Sequence, residues 1–441
     1  MAKQFDIVLA TLNARYIHTS FGLRYLHANL GEYQASAKIK EFTLDGKPED
    51  IVEQLLSHAP KIVGISVYIW NVEQSFRVVA LLKEVAPQIK VVLGGPEVSY
   101  EVDQQPITKL ADFVITGWGD ISFYELVDGL LSGVSPTDTI IAGKQPKLDA
   151  IAMPYDLYGE DDIQNRLIYV EASRGCPYKC EFCLSALDKT AWPFDVDEFL
   201  DEMNKLFERG VRHFKFVDRT FNLKISNSIK ILDFFLERID HGLFLHFELI
   251  PDHLPAALKE KIVQFPEGSL QFEVGIQTFN TDVQALISRR QKNDLAAENL
   301  RWLRNESKAH IHADLIFGLP GETIDTFATS FDRLYELAPQ EIQVGILKRL
   351  KGSPIVRHTE SFELVFNPNP PFNVMSNSTV SFSEMQRMNR FARFWDMLAN
   401  SGRFAETLPI LLTNKPFARF LVVSDSFYAR AGRTHKPYGA P

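Results

Sequence analysis

Three cysteines make up the whole thiol content of this 441-residue chain, and they fall within eight positions, at Cys176, Cys180 and Cys183. They sit in Ser173-Arg174-Gly175-Cys176-Pro177-Tyr178-Lys179-Cys180-Glu181-Phe182-Cys183, a CxxxCxxC spacing. Three clustered thiols cannot build a disulfide framework, and their proximity points to a metal. Thiolates are soft ligands that select zinc or iron–sulfur clusters. A structural zinc site closes with four ligands. No fourth cysteine exists here, and the nearest downstream histidine, His213, stands beside a different expected strand. A cube-type [4Fe–4S] cluster usually takes four cysteines. Three would leave one iron open, which is what a catalytic metal centre needs. A zinc knuckle completed by a distant histidine is the alternative.

The elements that must position these thiols are readable as alternating patterns. Leu167–Ala172 reads as a strand leading into the cysteines. Strand patterns recur at Phe214–Val217, Leu243–Leu249, Leu270–Gly275, Ile311–Phe317 and Ile342–Leu347. Helical stretches such as Ile229–Ile239 and Phe327–Leu337 separate them. Val196, Phe199, Leu200, Met203 and Phe207 make another helix face, stopped by Gly210. Six βα units fit a partial (β/α)6 TIM-like barrel, whose chemistry sits at the C-terminal ends of the strands.

The first 130 or so residues alternate in the same way. Strands are expected at Phe5–Ala10, Ala37–Phe42, Ile62–Val67, Lys90–Leu93 and Phe113–Thr116. Helices are expected at Gly22–Leu30, from Pro48, at Val72–Val85 and at Ile121–Leu131. This is an α/β pattern of parallel βαβ units, a Rossmann-like (flavodoxin-like) domain. Such sheets bind ligands beyond the carboxyl ends of their strands. Four strand ends carry loops suited to a bulky ligand: Thr11–Gly22, Ser66–Asn71, Gly94-Gly95-Pro96-Glu97 and Gly117-Trp118-Gly119-Asp120. Adjacent glycines let backbone approach a ligand closely, although Gly-Gly-Pro is equally a tight-turn signal.

The expected organisation is an N-terminal domain over 1–135, a Pro/Gly-rich linker over 136–165, the barrel over 166–352 and a mostly helical extension over 353–441. In the extension, Met385, Met388, Phe391, Phe394, Trp395 and Leu398 stripe one helix across Phe382–Asn400, which reads as packing. Hydrophobic residues are 45% and charged residues 23%, a globular composition, and the formal net charge is −9. That acidity speaks against nucleic acid as a partner. No apolar run reads as a membrane span and no leader is expected, so the expected compartment is the cytoplasm.

The cysteine loop, with its aromatic Phe182 before the last cysteine, resembles the signature of radical S-adenosylmethionine (SAM) enzymes. The resemblance implies that Cys176, Cys180 and Cys183 ligate a [4Fe–4S] cluster whose open iron chelates SAM. Reductive cleavage of SAM would then release a 5′-deoxyadenosyl radical. It also implies that the backbone near Phe182 touches the adenine and that Asp218, after the second strand, grips the methionine amino group, although the usual Gly-Gly-Glu is absent there. Glu273 and Gln277 resemble the fourth-strand motif that contacts ribose and carboxylate. Asp314 and Gly318, in Asp314-Leu315-Ile316-Phe317-Gly318-Leu319-Pro320-Gly321-Glu322, resemble the fifth-strand motif that supports the adenine. Lys348 ends the sixth strand, where it would pair with an anionic group.

An α/β domain ahead of such a barrel resembles the cobalamin-binding class of this family, and the tail resembles a subgroup-specific extension. The resemblance implies cobalamin along His18, Ser66, Gly94 and Gly95. The DxHxxG motif of one cobalamin fold is missing: Tyr16-Ile17-His18-Thr19-Ser20-Phe21-Gly22 has Tyr at the aspartate position and a longer spacing from His18 to Gly22. The activity implied is methylation of an unactivated carbon in a small-molecule or peptide substrate, with electrons from a donor such as flavodoxin or ferredoxin. The alternatives are a radical enzyme without cobalamin, performing rearrangement or ring closure, and a non-enzymatic metal-binding protein. A methylthiotransferase would need three further cysteines, which the chain lacks.

Overall fold

A computed structural model describes residues 4–188 and 190–434. The chain forms two compact units. The first comprises Met1–Ala172, Trp192–Lys215 and Leu350–Gly352, and the second Ser173–Ala191, Phe216–Arg349 and Ser353–Pro441.

In the first unit, β1 (Ile7–Asn13), β2 (Ala37–Thr43), β3 (Ile62–Ser66), β4 (Lys90–Gly94), β5 (Phe113–Thr116) and β6 (Ile140–Ala142) make one parallel sheet ordered β2-β1-β3-β4-β5-β6. β1 reads IVLATLN and is buried along its whole length, as a strand covered on both faces must be. Its alternate residues feed two cores. Val8, Ala10 and Leu12 pack with Ile51, Leu55, Val78 and Leu82, while Ile7 and Leu9 pack with Leu23, Phe123 and Leu126. Among the first five strands the chain reverses direction around β1 and β3, a flavodoxin-like order whose crevice lies at the loops after those two strands.

The stretch expected as linker is partly structured. Ile140–Ala142 add a sixth strand, with Val114 opposite Ile140, and Glu160–Asn165 form a short helix. The β-branched pair Ile140-Ile141 covers the edge of β5, whose backbone groups would otherwise stand unpaired.

A buried ion-pair square closes this unit. Arg24 lies 3.1 Å from Glu41 and 2.8 Å from Asp162, and Arg166 lies 2.8 Å from Glu41 and 2.7 Å from Asp162. The helix over Phe21–Ala28, strand β2 and the former linker are thereby tied together.

Ten further strands follow: β7 (Ile168–Val170), β8 (Ser173–Gly175), β9 (Ala191–Pro193), β10 (His213–Phe216), β11 (Phe244–Leu249), β12 (Leu270–Gln277), β13 (His310–Phe317), β14 (Glu341–Ile346), β15 (Val365–Phe366) and β16 (Val374–Ser376). β7 and β10–β14 alternate with helices at Val196–Glu208, Ile225–Leu236, Ala256–Ile262, Asn293–Glu306 and Ile324–Glu336, the expected partial (β/α)6 barrel. Within the second unit β11–β14 pair in parallel and in chain order, placing Glu248 opposite Glu273, Glu273 opposite His312, and His312 opposite Glu341.

β12 and β13 alternate fully buried with half-buried residues. The buried set is Leu270, Phe272, Val274 and Ile276 with Ile311, Ala313, Leu315 and Phe317. The other face carries Gln271, Glu273, Gln277, His310, His312 and Asp314. Apolar side chains thus seat the sheet on its helices, and polar ones share the opposite side.

The extension adds the hairpin β15–β16 and helices at Phe382–Trp395, Leu408–Leu411 and Pro416–Ala431. The helix expected to reach Asn400 changes to a π-helical turn over Asp396–Asn400. Met385, Met388, Phe391, Phe394 and Trp395 are buried, and Phe391 and Trp395 pack on Phe331 and Phe420. Among the described residues no helix is long and apolar enough to cross a membrane.

Candidate metal and cofactor sites

Gly175, at φ +88°, turns the chain into the cysteine loop, a conformation that L side chains rarely adopt. Cys176 and Cys180 are buried, Cys183 is half-buried, and all three line one cavity of about 250 Å³. The strand ends of the second unit supply the rest of the wall. Arg219 and Thr220 follow β10, Glu248 lies on β11, Glu273, Gly275 and Gln277 on β12, and Asp314 on β13. Residues 273, 275 and 277 share a face because strand side chains alternate.

The end of β12 is shaped for this wall. Its pairing with β13 shifts register between Gly275 and Gln277, and Gln277 has φ +68°. A Cβ on Gly275 would sit 2.4 Å from the Gln277 side-chain nitrogen, so glycine here makes room for the amide. Gln277 Oε1 and Thr220 Oγ1 are buried with no hydrogen-bond partner in the protein. Buried polar atoms are almost always satisfied, so these two mark positions for a ligand.

The electrostatics are mixed. Arg289 places Nη1 3.4 Å from Cys180 Sγ, gives Nη2 to the Gly275 carbonyl, and donates Nε to Gln291 Oε1 at 3.2 Å. Arg219 pairs with Glu248 at 3.0 Å. His246 Nε2 is 3.0 Å from Glu273. Burial pushes the Cys176 thiol up to about 11, and the nearby Cys183 and Cys180 add to it; metal binding has to displace such protons. Burial raises Asp314, and the charge of Glu273 reinforces the shift. Burial opposes charge on His312, but Asp314 and Glu341, each 3.2 Å away, outweigh it and push the ring up to about 10.

Phe182, Glu273, Gln277 and Asp314, singled out in the sequence, line the cavity beside the cysteines. Asp218, Gly318 and Lys348 are not among the lining residues. Asp218 is buried and accepts a 2.6 Å hydrogen bond from Ser173 Oγ. Gly318, at φ +91°, packs where a Cβ would meet Val374 at 2.6 Å. Lys348 forms an antiparallel bridge with Asn373. Sequence reasoning did not single out Glu248, Arg289 or Arg290, which also line the cavity. Glu248 had a usable signal, since it is the penultimate residue of an expected strand, and it pairs directly opposite Glu273. The Arg289-Arg290 pair had none beyond its charge.

In the first unit, the loop after β1 is pinned from below. Arg166 donates to the carbonyls of Tyr16, at 2.8 Å, and His18, while Asn13 Nδ2 reaches the His18 carbonyl at 2.8 Å. His18 Nδ1 lies 2.7 Å from the Tyr169 hydroxyl. Burial, with Lys215, Arg15 and Arg166 nearby, lowers the imidazole pKa and favours the neutral form that metals bind. The Ser66 carbonyl accepts from Thr11 Oγ1 and Asn71 Nδ2, each at 3.2 Å. The Gly94 carbonyl accepts from Val67 N at 2.8 Å. Gly95, at φ +107°, would put a Cβ 2.5 Å from the Val67 carbonyl oxygen, so the turn itself requires glycine. Trp70 is 48% exposed on this rim and stacks on Tyr68 at 4.4 Å.

Comparison with known proteins places these observations. Residues 7–127 match the B12 binding domain, residues 170–334 the Radical SAM superfamily, and residues 360–437 a protein of unknown function (DUF4080). The chain is thus similar to B12-binding domains over its first part and to the radical SAM superfamily over its middle part.

It is 25% identical over 333 residues to the cobalamin-dependent radical SAM methyltransferase TokK of Streptomyces tokunonensis, covering 67% of this chain and 48% of that one. It is 29% identical over 216 residues to an uncharacterized methyltransferase of Pyrococcus horikoshii, covering 43% of this chain and 47% of the other. The chain spans about half the length of these relatives. The solved structure of the cobalamin-dependent S-adenosylmethionine radical enzyme OxsB, with aqua-cobalamin and S-adenosylmethionine bound, superposes with a TM-score of 0.70 at 13% identity, covering 99% of this chain and 74% of that one. The radical S-adenosylmethionine methyltransferase TsrM from Kitasatospora setae, with cobalamin and a [4Fe–4S] cluster bound, gives 0.67 at 16% identity, covering 83% and 80%. At such identities the two structures establish the fold alone.

Proposed function

We propose that the chain is a cobalamin-dependent radical SAM methyltransferase. In this reading Cys176, Cys180 and Cys183 hold a [4Fe–4S] cluster, S-adenosylmethionine occupies the cavity beside them, and cobalamin binds over the loops that follow β1, β3 and β4. The observation that carries the reading is the meeting of three thiols, charges of both signs and two unsatisfied polar atoms in one cavity at the strand ends. When bound, these cofactors supply a 5′-deoxyadenosyl radical and a transferable methyl group.

The donor set fits. The guanidinium groups of Arg289 and Arg290 suit a carboxylate, which arginine binds through paired N–H donors. Glu273 and Glu248 accept from an ammonium group or from hydroxyls. Gln277 Oε1 offers a further acceptor, Thr220 Oγ1 can donate or accept, and Phe182 offers a flat apolar surface to a purine. In the first unit, exposed Trp70 and the neutral His18 suit a large planar ligand with a metal at its centre. The protein's work is to bind, orient and exclude water around reactive species. The substrate is a small molecule or peptide that brings an unactivated carbon, and a flavodoxin- or ferredoxin-like donor supplies electrons.

The test is anaerobic reconstitution with iron, sulfide and cobalamin, followed by incubation with S-adenosylmethionine and reductant. Roughly four irons and four sulfides per chain are expected for one cube, with corrin absorbance that co-elutes with the protein. 5′-Deoxyadenosine and S-adenosylhomocysteine should both form, and alanine at the three cysteines should remove the iron and the deoxyadenosine. A chain that retains one zinc and no sulfide defeats the reading. Deoxyadenosine with neither corrin nor S-adenosylhomocysteine points instead to other radical chemistry.

A further inference from the structure

In the cysteine loop, Cys180, Phe182 and Cys183 line the cavity, and Glu181 is not part of its wall. Its side chain is 4% exposed and carries a carboxylate, which burial makes costly unless it is paired. Three donors meet it. Ser288 Oγ and the Arg357 guanidinium reach Oε1, and His358 Nε2 lies 2.9 Å from Oε2. The same His358 nitrogen lies 3.1 Å from the Leu286 carbonyl. Arg357 Nε lies 3.4 Å from that nitrogen as well.

The backbone repeats the connection. Glu181 N donates to the Ile287 carbonyl at 3.0 Å, and Ile355 N donates to the Glu181 carbonyl at 2.9 Å. Ile355, Arg357 and His358 lie in one short helical turn, Pro354–His358, that opens the C-terminal extension. Glu181 thus has side-chain and main-chain anchors in the same turn, one residue from a thiol that lines the cavity.

We infer that the opening turn of the C-terminal extension is a clamp on the cysteine loop, and that Glu181 is the positioning residue through which it sets the geometry of Cys180 and Cys183. Groups beyond the ligands fix ligand orientation and tune a metal centre. Hydrogen bonding and solvent access around the sulfurs also set cluster potentials. The extension thereby acquires a role in cluster retention and tuning. This inference rests on the proposed cluster.

The experiment compares full-length wild type with Glu181→Gln, Glu181→Ala and His358→Gln after anaerobic reconstitution. Readouts are iron release to a chelator, the midpoint potential and the EPR signature of the reduced cluster. Melting of each apoprotein reports on folding. Glu181→Ala should release iron at least tenfold faster than wild type, with an altered EPR signature and potential. Glu181→Gln, which keeps the shape and loses the charge, should fall between the two, as should His358→Gln. If Glu181→Ala does not fold, the two glutamine variants decide the matter. Folded variants with wild-type release, EPR and potential overturn the clamp while leaving the cluster reading intact. A wild-type chain that takes up no cluster overturns both.

Discussion

Glu41→Gln should destabilise the first unit sharply. Glu41 Oε2 lies within 3.1 Å of both Arg24 and Arg166, and its Oε1 accepts from Asn13 Nδ2 at 3.1 Å and from the Ser20 amide. The side chains of Arg24, Glu41, Arg166 and Asp162 are only 4%, 10%, 7% and 11% exposed, so solvent screens little of this. Breaking a buried pair by removing one partner costs about 3–5 kcal/mol, because the remaining charge stays buried. Asp162 still faces both guanidiniums, so the lower end, about 3 kcal/mol, applies.

For a unit of roughly 200 residues, each kcal/mol moves Tm by about 2–4 °C. The expected loss is about 6–12 °C at pH 7 by differential scanning calorimetry. The effect has a pH signature. Burial alone would raise the Glu41 carboxyl, but Arg24 and Arg166 more than offset it, and its pKa lies below the ordinary value of 4.5. A depressed folded pKa contributes stability that is present above the unfolded pKa and lost as pH falls through the folded one. The gap between variant and wild type should therefore be full above about pH 4.5 and close below it. A Glu41→Gln protein that melts within 2 °C of wild type at pH 7 would refute the claim that the square stabilises the fold.

Gly95→Ala should cost at least about 2 kcal/mol through strain at positive φ and the collision with the Val67 carbonyl, read as a lower urea midpoint; an unchanged midpoint would show that the turn relaxes freely. Burial pushes the Glu322 carboxyl up to about 8, with only Thr278 Oγ1, at 2.7 Å, opposing the shift. A raised carboxyl pKa means that stability falls as pH rises from about 4.5 towards 8, so Glu322→Gln should match wild type near pH 5 and melt higher at pH 9; parallel pH profiles would contradict this. His312 is pushed up to about 10, so its contribution is full below its ordinary pKa of about 6.5 and lost as pH rises through 10. His312→Gln should consequently melt lower than wild type at pH 6, with the difference shrinking by pH 10.

The parts of this molecule that were legible beforehand are those written locally. Phe113–Thr116 runs as expected because a β-branched apolar stretch stands between turn residues. The CxxxCxxC loop is contiguous, so its chemistry needs no tertiary knowledge. β12 extends two residues beyond its expected end at Gly275, through a bulge that no periodicity announces. Ile140–Ala142 is too short to show a period, and it becomes a strand because the edge of β5 is there to receive it. Arg289 carries no pattern of its own, and Glu248 only its place near the end of a strand. Register and a loop's return path make them wall residues, and both are tertiary facts. Asp218, Gly318 and Lys348 were singled out by resemblance, and here they serve a hydrogen bond, a packed turn and a backbone bridge.

The division of labour along β12 and β13 has a consequence for how such a protein can change. A closed eight-stranded barrel fills its interior with branched apolar residues, so altering that interior risks the whole structure. Here the fully buried apolar residues are on the side that meets the helices, and Gln271, Glu273, His312 and Asp314, with Ile316, occupy the other. Replacements of the cavity-lining Glu273 and Gln277 on that side should perturb recognition more than thermodynamic stability, whereas trimming Phe272 or Phe317 should unfold the protein before any selectivity could be measured. The scaffold is therefore free to diversify what it accepts without renegotiating how it folds.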